Sequence, residues 1–261
     1  MLTTLRLGPL ALPTYPLLII FGLYAGLWLA ARVAARRGLN PDHLYNAGFS
    51  AAIVALIAGR LGHVIRFLPA YLTDPISILS PNLAAFEPLA AVAAAILVFA
   101  WYIRRYRLPV LLVVDALAVG SLLFLAVHAL AEGLNGRNFG MPSLLPWAIP
   151  QWDVYRHPVQ FYEILGILGA ISLLWALLDR LRPGQAALLA TAGYAAVRLL
   201  VDAFRDQPVT VGDGLRLTQV LAWIVLLLAL AGLYQMQARV GATTVNSQQS
   251  TINNQQSTSN G

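Results

Sequence analysis

Long apolar stretches separated by short polar segments make up most of this chain. A transmembrane helix needs roughly 20 mostly apolar residues, and seven stretches approach that length. They cover about residues 13–34, 45–68, 84–103, 108–131, 158–178, 186–204 and 216–236. The pattern predicts an all-α membrane protein with seven transmembrane helices. Because seven is odd, the two termini are expected on opposite sides of the bilayer.

The composition agrees with this pattern. Of the 261 residues, 59% are hydrophobic and only 11% are charged, and the mean hydropathy of +0.69 is far from that of a soluble domain. The chain has no cysteine, so any sulfur in its chemistry must come from a substrate. We predict a transmembrane domain over residues 1–240 and a disordered tail over residues 241–261, where Ser, Thr, Asn and Gln dominate.

The arginines predict how the helices are oriented. Short cytoplasmic loops collect basic residues. The arginines that follow the first, third and fifth stretches are Arg32, Arg36, Arg37, Arg104, Arg105, Arg107, Arg180 and Arg182. The amino terminus is therefore expected outside and the carboxyl terminus in the cytoplasm. The net charge of +6 then reflects topology and not nucleic-acid binding. The first stretch is longer than a signal-peptide core, and its positive charge follows it, which predicts a retained helix.

Other charged residues gather at the outward ends of four stretches. Charge inside a bilayer is costly and usually marks a functional site. The four groups are Arg60 with His63; Glu132, Asn135, Arg137 and Asn138; the segment Arg156–Glu163; and Arg198, Asp202, Arg205 and Asp206. We therefore expect a polar cavity that opens outward.

The spacing of the charged residues on the sixth stretch predicts how they lie on a helix. Arg198 and Asp202 are four residues apart, and Asp202 and Arg205 are three apart, so all three lie on one helical face. Several arginines with few acids favour an anion, and guanidinium groups match phosphate well. We expect the phosphate of an outer-leaflet phospholipid among Arg60, Arg156 and Arg198, with Arg137 as a further contact.

Each group also has a simpler explanation. Arg198 and Asp202 could be an ion pair that holds helices together. His63 or His128 could be an ordinary packing residue, and interfacial arginines could reach lipid phosphates by snorkelling. Asp115, at the start of the fourth stretch, could be the N-cap or a first-turn acid of that helix near the inner face. Four groups on one side of the bilayer are harder to explain in these ways, so together they favour a functional cavity.

Several motifs occur in the order known from one bacterial family. They are Gly59-Arg60-Leu61-Gly62, the loop from Asn135-Gly136 through Gly140 to Pro146-Trp147, the segment Arg156-His157-Pro158-Val159-Gln160-Phe161-Tyr162-Glu163, the group Arg198, Asp202, Arg205 and Asp206, and Leu217-Thr218-Gln219. With these motifs the chain resembles the prolipoprotein diacylglyceryl transferases of bacteria up to about Gln237. Those enzymes are similar in having seven spans and an external amino terminus.

The resemblance implies a substrate pair and a reaction. A diacylglyceryl group moves from phosphatidylglycerol to the lipobox cysteine of a preprolipoprotein signal peptide. The thiol attacks a glycerol carbon, a thioether forms and glycerol phosphate leaves. This chemistry needs a base for a thiol of pKa near 8.5 and cationic groups for the departing phosphate. No metal or redox cofactor and no nucleic acid is implied, and the location is the bacterial plasma (inner) membrane.

The resemblance also implies roles for particular residues. Arg60, Arg156 and Arg198 would hold the phosphate, with Asp202 orienting Arg198, and His128 or His63 would be the base. Tyr15 resembles a family tyrosine that lines the cavity, and three residues shape the loop over the lipid: Asn135, Gly136 and Gly140. The other predicted substrate-binding residues are Glu132, Arg137, His157, Gln160, Tyr162, Glu163 and Arg205.

The chain departs from the family's pattern near these residues. Glu87-Pro88-Leu89-Ala90-Ala91 stands where the family has a His-Gly-Gly segment in its third span. Ala129, Glu132, Arg137 and Met141 replace an arginine, an asparagine, a glutamate and an arginine, in that order. His128, His63 and Glu87 are nearby substitutes, and Glu132 with Arg137 could form an exchanged ion pair.

Three outcomes follow from these departures: a working transferase with a rewired site, a relative with another lipid substrate, or a lipid-binding protein without catalysis. A small transporter is disfavoured because no paired broken helices are evident.

Overall fold

The computed structural model describes residues 4–7, 10–80, 85–206, 209–211 and 214–259, and most of them are helical. The helices are α1 (Thr14–Arg36), α2 (Pro41–Arg66), α3 (Leu68–Thr73), α4 (Pro88–Arg105), α5 (Val110–Leu134), α6 (Val159–Leu177), α7 (Gln185–Asp202) and α8 (Leu217–Ser259), with 3-10 turns at Pro75–Leu79 and Leu178–Arg180. Three antiparallel hairpins pair β1 (Thr4–Leu7) with β2 (Leu10–Pro13), β3 (Ile149–Gln151) with β4 (Val154–Arg156), and β5 (Thr210–Val211) with β6 (Leu215–Arg216).

Six helices of the described residues are long and apolar enough to cross a membrane: α1, α2, α4, α5, α6 with its 3-10 extension to Arg180, and α8 up to Ala238. The chain is thus a mostly helical, multi-pass membrane protein. The expected seventh span corresponds to α7, whose 18 residues include Arg198 and Asp202. Because these charges lower its hydropathy, seven spans remain a prediction. The helical backbone of α8 extends to Ser259, and a disordered tail over residues 241–261 likewise remains a prediction.

Helices α1 and α5 form the centre of the bundle and run antiparallel. Their core includes Val33 and Val119, which are fully buried. Glycines bring the two backbones together, since a Cβ added to Gly26 would lie 2.9 Å from the carbonyl oxygen of Gly120. Without a hydrophobic effect between helices in lipid, such close packing of small residues holds helices together. The contact also sets the start of α1 beside the end of α5.

Polar contacts fasten one end of the bundle. Arg36 binds Asp179 at 2.5 Å, and Arg37 donates to the carbonyl oxygens of Leu178 and Leu181 at 2.7 and 2.8 Å. These arginines end α1, and their partners follow α6. Two of the loops predicted to be cytoplasmic, those after α1 and after α6, therefore meet at one end of the bundle.

Asp115 belongs to the same end and caps a different helix from the one expected. Its fully buried carboxylate accepts hydrogen bonds from the backbone N–H groups of Gly184 and Ala187, both at 2.8 Å. Gly184 has φ 92° and precedes the first residue of α7. Asp115 thus lies within α5 and supplies the capping carboxylate for α7. Arg37, at 3.6 Å, balances its charge.

Candidate functional site

A buried ion network joins α6 and α7 at the opposite end of the bundle. Glu163 on α6 is 3% exposed and accepts hydrogen bonds from Arg198 at 3.2 Å and from Arg205. Asp202, 2% exposed, lies 3.0 Å from Arg198 Nη2. Arg205 Nε is also 3.0 Å from Asp202, an ionic contact without the alignment of a hydrogen bond. The face predicted from the spacing of Arg198, Asp202 and Arg205 therefore forms one connected cluster.

Two further residues complete this network, and the sequence reasoning missed both. Tyr194 donates to Glu163 at 3.4 Å, and its position one turn before Arg198 could have indicated this. Arg216 on β6 donates to the carbonyl oxygens of Asp202 and Arg205. Its only signal was an arginine at the start of the last apolar stretch. Three arginines thus surround two carboxylates, which leaves an excess of positive charge.

The loop around Gly140 is bonded to the end of α7. Gly140 forms an isolated antiparallel bridge with Arg205, and Met141 N–H donates to the carbonyl oxygen of Phe204 at 2.8 Å. A Cβ on Gly140 would meet the backbone and side chain of His157, with His157 Cβ only 2.9 Å away. Only glycine permits so close an approach, which explains this residue in the loop.

Arg156 joins this loop to the ion network. Its guanidinium group binds Asp206 at 2.6 Å and the carbonyl oxygen of Gly140 at 3.1 Å, over the ring of Phe139. The segment from Asp202 to Asp206 therefore carries one partner of Arg198 and one of Arg156. The structure brings these two of the three predicted phosphate ligands to a common segment.

Arg60 has different partners. It lies near the end of α2 and donates to the carbonyl oxygens of Ile78, Ser77 and Ala85 at 3.0, 2.8 and 2.9 Å. These carbonyls belong to the connection between α2 and α4. Arg60 thus organises this connection, and its proposed share in phosphate binding remains a prediction.

The start of α6 fixes the loop that follows α5. Gln160 donates to the carbonyl oxygens of Arg137 and Asn138 at 3.0 and 3.2 Å. Trp152 donates to the carbonyl oxygen of Gly136, whose φ is 65°, and Asn135 binds back to Ala131. These bonds hold the loop containing the predicted residues Asn135 and Gly136 against the bundle.

Aromatic side chains pack around His157 at the start of α6. Tyr162 accepts a hydrogen bond from Trp147 at 2.7 Å, and its hydroxyl is 3.4 Å from His157 Nδ1. The ring of His157 packs on Phe204 at 5.1 Å. His157 and Tyr162, both predicted to bind substrate, therefore support the segment that bears Arg205.

The two candidate bases have different environments. His128 Nε2 is 3.2 Å from the hydroxyl of Tyr15, and its Nδ1 is 4.0 Å from Glu132. His63 stacks on Phe67 and Tyr71 and makes no side-chain hydrogen bond within the described residues. Of these two histidines, His128 is the one whose ring nitrogens both face polar side chains in the described part of the chain.

Glu132 and Arg137, the two substituted residues that could have formed an exchanged ion pair, have separate partners. The Glu132 carboxylate accepts a hydrogen bond from Asn138, while the guanidinium carbon of Arg137 lies 5.1 Å from the centre of the Tyr15 ring. Glu132 and Arg137 form no ion pair in the described part of the chain. Glu87, the other suggested substitute, binds Arg66 at 2.9 Å.

A cavity of about 320 Å³ lies between α5, α7 and α8. Arg198 and Thr218 line it at the end that holds the ion network, and deeper lining residues such as Leu122, Ala190 and Val225 are apolar. Arg198 keeps 21% of its side chain exposed. The cavity therefore joins a reachable cation to an apolar space within the helical bundle.

These features define a polytopic membrane protein with a cluster of buried and half-buried arginines and carboxylates at one end of the bundle, an arrangement that usually marks a functional site. The chain belongs to the prolipoprotein diacylglyceryl transferase family, whose profile matches residues 3–235. A relative from Corynebacterium diphtheriae is 27% identical over 271 residues, covering 93% of this chain and 94% of the relative. One from Bordetella parapertussis is 33% identical over 253 residues, covering 90% and 94%. Both are named phosphatidylglycerol–prolipoprotein diacylglyceryl transferase.

Proposed function

We propose that this protein transfers a diacylglyceryl group from phosphatidylglycerol to the lipobox cysteine thiol of a prolipoprotein. It is then a transferase of lipoprotein biosynthesis, as its relatives are named. The observation that carries the proposal is the position of Arg198, at the ion-network end of an otherwise mostly apolar cavity. A phospholipid needs this combination, because its phosphate seeks a cation while its acyl chains seek apolar surface.

In this proposal the phosphate lies at Arg198 and one acyl chain enters the cavity between α5, α7 and α8. Glu163 and Asp202 hold the guanidinium of Arg198 from two sides, so the group needs little reorganisation when charge develops on the leaving phosphate. Arg205 and Arg216 add positive charge behind it. Arg156 and the loop at Gly140 cover the headgroup.

The reaction forms one bond and breaks one. The cysteine thiolate attacks the glycerol carbon that carries the phosphate ester, a carbon–sulfur bond forms, and the carbon–oxygen bond to the phosphate breaks. Glycerol phosphate leaves with the electron pair of that bond. The thiol proton passes to a base, for which His128 is the best-placed candidate.

We further propose seven spans in a bacterial inner membrane, with the amino terminus outside and the carboxyl terminus in the cytoplasm. The cluster of Arg36 and Arg37 at one end of the bundle supports this orientation, since basic residues accumulate on the cytoplasmic side. The cationic site then faces the outer leaflet, where exported signal peptides arrive.

The test is a mass measurement on a lipobox peptide. Purified protein is incubated with the peptide and phosphatidylglycerol, and in parallel with phosphatidylethanolamine or phosphatidic acid. We expect the peptide to gain the mass of one diacylglyceryl group with phosphatidylglycerol and no mass with the other two lipids. A peptide with serine in place of cysteine should gain no mass with any of them. A gain with another lipid would instead indicate a different donor. An unchanged peptide together with retained lipid would support a lipid-binding protein without catalysis.

A further inference from the structure

Three polar side chains meet where α1 begins and α5 ends. The Tyr15 hydroxyl lies 3.2 Å from His128 Nε2, and the two rings meet edge to face with centres 6.1 Å apart. The close packing of Gly26 against Gly120 fixes the relative position of these helices. The Tyr15–His128 contact is therefore a consequence of the bundle's central helix pair.

The other nitrogen of the histidine faces an acid. Glu132 follows His128 by one helical turn, and one of its oxygens is 4.0 Å from His128 Nδ1. Its second oxygen accepts a hydrogen bond from Asn138, a residue held at φ 50°. Only 14% of the Glu132 side chain is exposed, against 32% of the His128 side chain. The imidazole of His128 therefore lies between the hydroxyl group of Tyr15 and the carboxylate of Glu132, which Asn138 holds in place. We call these three residues the Tyr15–His128–Glu132 series.

A cation lies beside this series. The guanidinium carbon of Arg137 is 5.1 Å from the centre of the Tyr15 ring, and the ring of His128 also packs against the ring of Phe124. A positive charge beside the phenol favours an anion forming next to it. Among the side chains that the structure describes, the charged and titratable groups that face His128 are thus Tyr15, Glu132 and, beyond the phenol, Arg137.

We propose that Tyr15, His128 and Glu132 form a proton relay that activates the substrate thiol, and this rests on the proposed transferase function. The Tyr15 oxygen accepts the thiol proton while its own proton passes to His128 Nε2. The thiol becomes a thiolate, the phenol is regenerated and the histidine becomes an imidazolium ion. Glu132 is a positioning residue that holds Nδ1–H toward itself and stabilises the imidazolium charge. The proton returns to solvent or to the departing phosphate after transfer.

The relay is tested with variants of each member in the peptide transfer assay. General-base catalysis is worth on the order of 10²- to 10⁴-fold, so we expect His128→Gln to lower kcat at neutral pH by about 100-fold or more. Tyr15→Phe keeps the ring that Arg137 covers and should show a similar loss. Glu132→Gln should lower kcat by about tenfold, with Glu132→Asp recovering part of it. The KM for phosphatidylglycerol should stay close to wild type in all of them.

The dependence on pH separates a relay from a structural role. Because a free thiol ionises near pH 8.5, raising the pH should restore much of the lost rate in His128→Gln. Asp179→Asn is the matched control, because this exposed carboxylate pairs with Arg36 at the opposite end of the bundle, and it should keep the wild-type rate and pH profile. If wild type transfers and His128→Gln matches it at every pH, the relay is wrong while the function stands. If wild type itself transfers nothing, the proposed function fails.

Discussion

Replacing Arg198 with lysine tests the geometry of the ion network. Arg198 reaches Glu163 with Nη1 at 3.2 Å and Asp202 with Nη2 at 3.0 Å, and a single ammonium group cannot reproduce this fork. We expect the loss of one charge-assisted hydrogen bond, about 1.5–3 kcal/mol. At about 1.36 kcal/mol per tenfold in rate, kcat/KM for peptide transfer should fall about 10- to 150-fold. Arg198→Ala should abolish lipid binding or transfer, and membrane insertion should remain.

The control is Arg104→Lys, an exposed arginine near the end of α4, which should leave kcat/KM unchanged. Membrane insertion is followed for each variant by the yield of folded protein after extraction. If Arg198→Lys keeps the wild-type kcat/KM, transfer does not require a guanidinium group that contacts both carboxylates. Full lipid binding and transfer in Arg198→Ala would remove Arg198 from the site altogether.

Three further changes test how the fold supports the site. Gly140→Ala places a methyl group against His157, so it should lower the free energy of unfolding by about 1–3 kcal/mol and reduce transfer; an unchanged melting temperature would contradict the tight packing. Gly120→Leu should separate α1 from α5 and reduce transfer through loss of the Tyr15–His128 contact, and a wild-type rate would show that this contact is dispensable. Asp115→Asn should destabilise α7 by about 0.5–2 kcal/mol, as for loss of a helix cap, measured by thermal melting in detergent; no change would mean that the cap contributes nothing.

The sequence predicted those parts of the structure that depend on local periodicity. Apolar stretches of sufficient length correspond to helices, and residues three or four apart on α7 meet as expected because helical geometry is local. The same helix is harder to identify as a span. Its charged residues Arg198 and Asp202 lower the mean hydropathy by which a transmembrane span is identified. The same side chains that form the ion network therefore weaken the sequence evidence that α7 crosses the membrane.

Contacts between distant segments could not be predicted in this way. Arg216 reaches the network from a hairpin, and Arg137 turns toward Tyr15 instead of Glu132. Both outcomes depend on loop backbone conformation, which spacing along the chain does not encode. Asp115 shows the same limit, because its position suggested a cap for its own helix and its carboxylate instead caps α7.

If the cationic end of this bundle transfers a diacylglyceryl group from phosphatidylglycerol to a thiol, each transfer must yield one peptide thioether and one glycerol phosphate. The most direct measurement counts both products with purified protein in phosphatidylglycerol nanodiscs. We expect the two products in equal amounts and neither of them without the peptide. Glycerol phosphate released without thioether, or lipid bound with neither product formed, would contradict this expectation.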